Sequence, residues 1–70
     1  MSNWKTVFTT DKAYQAEIVC GVLIDRGIHA VVVNKQDRSY RFGHVEVNVD
    51  QDSILPAIKI IENEINWKDE

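Results

Sequence analysis

The run "HVEVNVD", His44–Asp50, constrains the fold more than any other stretch of the chain. Val45, Val47 and Val49 alternate there with His44, Glu46 and Asn48. Side chains along a strand point alternately to its two faces, so all three valines share one face and the polar residues share the other. A slip of one residue would turn every valine to water, which fixes the register. The run therefore predicts a strand with one face in a core and one face wet.

Its partners lie upstream. "IHAVVVN", Ile28–Asn34, reads as a strand of nearly continuous apolar character. That pattern suits burial on both faces, or one face in the core and one at an interface. It is joined to the valine strand by "NKQDRSYRFG", Asn34–Gly43, and the two are expected to pair as an antiparallel hairpin. "WKTVFT", Trp4–Thr9, is rich in aromatic and β-branched residues and reads as the first strand. Unbroken alternation there would put Trp4, Thr6 and Phe8 on one side and Lys5, Val7 and Thr9 on the other.

Two helices complete the pattern. In "TDKAYQAEIVCGVLIDRG", the residues Ala13, Ala16, Val19, Cys20, Leu23 and Ile24 recur at three- and four-residue steps, and Tyr14, Ile18 and Val22 widen the apolar face. Thr10 or Asp11 is the expected cap, and Gly27 the left-handed residue that ends the helix. Gly21 costs about 1 kcal/mol relative to alanine inside a helix, which suggests a close approach to a neighbour. In "SILPAIKIIENEINW", the residues Ile54, Ile58, Ile61 and Ile65 fall at helical spacing. Pro56 fits if Asp52 or Ser53 caps that helix, because its missing N–H then falls in the first turn.

The predicted order is β-α-β-β-α over residues 1–70 as a single domain. The fold class is α+β, with a three-stranded sheet and two helices on one face, a ferredoxin-like arrangement lacking its last strand. The third strand should lie between the first and second, with a right-handed crossover. The absent strand would leave the first strand's edge open. The uncovered sheet face would be an interface, with Lys5, Val7, Val31 and Val33 as contributors. Trp4, and Trp67 with it, either closes the core or joins that interface, where tryptophan is enriched.

Composition narrows the function classes. A chain of 70 residues buries only about 60 % of the surface its unfolded form exposes, so a partner or a homodimer would add needed burial. The net charge of −3 argues against a nucleic-acid partner. A single cysteine, Cys20, precludes an internal disulfide. "MSNWKTV" does not read as a signal peptide. No apolar run approaches the ~20 residues of a membrane span, so no membrane partner and a cytoplasmic location are expected.

From Lys5 to Ile65 the chain resembles a family of small bacterial domains labelled prokaryotic signal-transducing proteins. The shared features are a first strand ending "VFTT", "AE" early in the helix, "GVL" before its end, and "GI-A" leading into a valine strand. The later "VEVNVDQDSILPAIKII" is similar to that family's third strand and closing helix. The resemblance implies a fold close to the PII nitrogen-regulatory proteins and brings no catalytic residues with it. In PII proteins the connection equivalent to Asn34–Gly43 is the long effector loop; here it is about ten residues.

Few residues suggest chemistry. His29 and His44 fall at opposite ends of the hairpin, too far apart to share a metal, and neither has a ligand-spaced neighbour. Cys20 lies on the apolar helix face, where free cysteine acts as a small hydrophobe. Glu46 and Asp50 share the wet face of the third strand, where acidic residues serve solubility. No phosphate loop, nucleophile elbow or zinc motif occurs, and no metal or cofactor is expected. The connection itself carries Lys35, Arg38 and Arg41 against Asp37, together with Tyr40 and Phe42. Arginine and tyrosine at a loop tip can clamp an anion and stack on a ring. Two expectations follow. The first is a non-enzymatic regulatory module, acting by protein–protein contact or self-association through the first strand's edge and the open sheet face. The alternative is a sensor of a small anionic metabolite or nucleotide, using Lys35, Arg38, Tyr40, Arg41 and Phe42.

Overall fold

The computed structural model describes residues 3–36 and 43–65. The elements run β1 (Trp4–Thr10), α1 (Ala13–Asp25), β2 (Ala30–Asn34), β3 (Val45–Asp50), a 3₁₀ turn (Gln51–Ser53) and α2 (Ile54–Glu64). The sheet order is β1-β3-β2, and β3 is antiparallel to both neighbours. The α+β architecture read from the sequence is the one observed.

The valine alternation sets the layers. Val45, Val47 and Val49 are fully buried, and they form one cluster with Ala16, Val19, Cys20 and Leu23 of α1 and Ala57 of α2. Both helices therefore cover the same sheet face. The molecule is correspondingly flat, with extents of 37 × 35 × 15 Å.

Helix α1 ends as its sequence predicts. Gly27 has φ of +86°. Its N–H donates to the Ile24 carbonyl and the Ile28 N–H to the Leu23 carbonyl, both at 2.9 Å. These nested bonds form a Schellman motif, which satisfies two carbonyls that the helix would otherwise leave open. Buried Leu23 and Ile28 supply its hydrophobic contact. At the other end Lys12, not Thr10 or Asp11, occupies the cap position, and no side chain caps the helix. The Thr10 hydroxyl instead accepts the Lys12 N–H at 3.1 Å and donates to Gln15 Oε1 at 2.7 Å. In α2, Ser53 stands at the cap position without a side-chain bond, and Pro56 falls in the first turn, where its missing N–H costs nothing.

Two further expectations need correction. A β-bulge at Val7 interrupts the pairing of β1 with β3: Thr6 lies opposite Asn48, but Phe8 lies opposite Val47. The extra residue shifts the alternation by one, as a bulge must. Trp4 and Thr6 lie on the open face, whereas Phe8 and Thr10 lie on the helix side. Lys5 pairs with Val49 and so belongs to the helix side, and Val7 packs against the core. Neither contributes to the open face. Gly21 is the second correction. It is exposed, and a Cβ added there would meet nothing within 4 Å, so no close approach explains it.

Candidate functional site

The face of the sheet opposite the helices gathers the polar residues of β3 with the flanking strands. Register places Trp4, Thr6 and Thr9 of β1, Glu46, Asn48 and Asp50 of β3, and Val31 and Val33 of β2 together on it. Val31 and Val33, expected there from the sequence, are on this face. Among the described residues, no helix or strand covers it.

Its centre is Glu46. The side chain is only 14 % exposed although it lies on the wet face, because neighbours on three sides hold it. His44 Nε2 lies 2.8 Å from Oε2. An ionised carboxylate only accepts, so the imidazole tautomer here carries its proton on Nε2. Thr6 Oγ1 lies 3.2 Å from Oε1 and donates its proton to Asn48 Oδ1 at 2.8 Å or to that carboxylate. Lys35 Nζ stands 3.5 Å from Oε2. The His44 bond first, and then the Thr6 hydroxyl and the Lys35 ammonium, hold the Glu46 carboxyl below its ordinary range, against the opposing pull of partial burial.

The sequence hinted at part of this group. His44 and Glu46 are two apart in a strand and must share a face, but Thr6 and Lys35 reach Glu46 only through the pairing registers. Asp50 is on the same face, opposite Trp4, and makes no pair with Glu46.

Apolar surface adjoins the polar centre. Val31 is 39 % and Trp4 43 % exposed. Both border an open cleft of about 630 Å³ at the end of the sheet, which also takes in Ile24, Gly27 and His29. His29 and His44 lie apart, as expected. Among the described residues, no three His, Cys, Asp or Glu side chains come together in a way that could hold a metal ion.

Of the connecting segment, residues 34–36 and 43 are among the described residues. Arg38, Tyr40, Arg41 and Phe42 lie outside the described residues, as does Trp67. Lys35, the one described residue of the expected anion site, is engaged by Glu46. The Lys35 N–H donates to the His44 carbonyl at 2.8 Å and closes the base of the segment. Gly43 has φ of +106°, and a Cβ there would stand 2.4 Å from the Lys35 carbonyl oxygen. Only glycine fits that closure.

Cys20 is buried, and burial, with Glu17 nearby, pushes its thiol up. That is the opposite of what a nucleophile needs. No described helix is long and apolar enough to cross a membrane. No protein-family model, curated protein or solved structure matches the chain.

Proposed function

We propose that the chain is a non-enzymatic interaction module that works by protein–protein contact through its open sheet face. The observation that carries this reading is the make-up of that face. A polar centre, joined by the Glu46 contacts, sits beside solvent-exposed Val31 and Trp4. Fixed polar groups bordered by exposed apolar side chains are what a protein partner can use, since the apolar part supplies burial and the polar part supplies register. The one thiol is withdrawn into the core, and His44 and Glu46 are bonded to each other.

Site-specific photocrosslinking tests the reading. A benzophenone side chain placed at Val31 or Thr6 should form covalent protein adducts in cells. The same group at exposed Lys59 of α2 should form few. Equal labelling at the two places, or none on the open face, would remove this reading.

A further inference from the structure

The sheet has two edges, and they are built differently. β1 carries the Val7 bulge and Lys5, two features that discourage strand addition. β2 has neither. Its five residues "AVVVN" pair with β3 in unbroken register and include no charge and no proline. The edge of the first strand is unpaired among the described residues, as the sequence led us to expect, but it is the guarded one.

The backbone phase of β2 is set by one bond. The Lys35 N–H donates inward to His44. In an antiparallel pair, successive residues turn their N–H and C=O groups alternately toward and away from the neighbour. Val31 and Val33 therefore bond β3, and Ala30, Val32 and Asn34 aim their backbone groups outward. Among the described residues, no strand pairs with that side.

We propose that this edge binds a second copy of the chain, β2 against β2 in antiparallel register about Val32, to give a continuous six-stranded sheet. The proposal rests on the interaction-module reading and names the partner that covers the Val31 border of the open face. The register follows from the sequence of the strand. Centring the two-fold axis on Val32 pairs Ala30 with Asn34 of the second copy and Val32 with its own counterpart, so every outward backbone group within the strand finds a partner. The same register sets Val31 opposite Val33 of the second copy. Four valines then meet on the open face, and exposed Val31 is covered. Shifting by two residues in either direction keeps the faces matched but leaves one outward residue at each strand end paired beyond the strand. No charge within β2 opposes its copy, and Lys35, just beyond the strand, is already held by Glu46. Such an isologous contact is the commonest way for a chain to close on itself.

The test uses the full chain. Light scattering on a sizing column should give twice the 8.1 kDa chain mass at high concentration. Amide exchange should show protection of Val32 and Asn34 rising with concentration, and a mixed-label sample should show contacts between the methyls of Val31 and Val33. Val31→Lys, at an exposed position, should keep the fold by circular dichroism and weaken the dimer by about tenfold or more, because a charged lysine replaces the valine that packs opposite Val33 of the second copy. Thr9→Lys on β1 should leave the dimer intact. A dimer that survives Val31→Lys with unprotected Val32 would overturn the proposal, and so would a monomer at millimolar concentration. A monomer that still crosslinks from Val31 defeats the strand pairing alone, whereas a monomer without adducts defeats the wider reading as well.

Discussion

The two faces of this sheet use the same strand in opposite ways. On the helix side, Val45, Val47 and Val49 are wholly buried against α1 and α2, and packing alone holds them. On the open side, Glu46 and Asn48 keep partial access to water and are held by side-chain hydrogen bonds from Thr6 and His44. Apolar burial is worth about 25 cal/mol per Å², whereas a hydrogen bond exchanged with water contributes about 1 kcal/mol net. The covered face thus carries the stability, and the open face is free to carry recognition.

The largest test of that division is in the core. Leu23 is fully buried beneath the sheet and also anchors the Schellman turn. Leu23→Ala should cost about 2–5 kcal/mol in urea unfolding, a large part of what a domain this small possesses. Val31→Ala on the open face should cost clearly less, about 1 kcal/mol or under, when unfolding is followed at a concentration too low for dimer formation. Comparable losses at the two positions would break the division.

Exposure alone does not predict tolerance, and two glycines show why. Both Gly43 and Gly21 are exposed. A methyl group at Gly43 meets the Lys35 carbonyl and adopts a disfavoured φ, so Gly43→Ala should cost about 1–3 kcal/mol. A methyl group at Gly21 meets open space within a helix. Gly21→Ala should stabilise the protein by about 1 kcal/mol. Thermal unfolding of the two variants, side by side, should move in opposite directions.

These contrasts also show what the sequence made legible. The valine alternation, the helical spacing of α1 and Gly27 each encode their geometry locally, so the element order and layer arrangement followed from them. The strand order β1-β3-β2 followed as well. The bulge did not. In "WKTVFTT" the polar pair Lys5-Thr6 and the apolar pair Val7-Phe8 interrupt strict alternation, but only the pairing with β3 shows that Val7 is the extra residue and that Lys5 turns to the helix side. Gly21 misled for a related reason: a mid-helix glycine has the same local signature whether a neighbour presses on it or nothing does. The Glu46 centre was half legible, since His44 and Glu46 share a face by spacing, while Thr6 and Lys35 come from distant parts of the chain.

The smallest effect tests the open face directly. The Glu46 carboxyl titrates lower in the folded chain than in the unfolded one, chiefly through its bond from His44. A group with a depressed folded pKa binds protons more readily when unfolded. Its stabilising contribution is therefore fully present above the ordinary carboxylate range and is lost as pH falls through the folded value. Glu46→Gln removes that dependence and keeps the side chain's shape. Urea midpoints of the two proteins should differ most near neutral pH, with the native chain the more stable. They should converge as the pH drops below the ordinary carboxylate range. No gap at any pH would mean that Glu46 acts through its shape and not its charge. The open face would then owe its order to packing, as the covered face does.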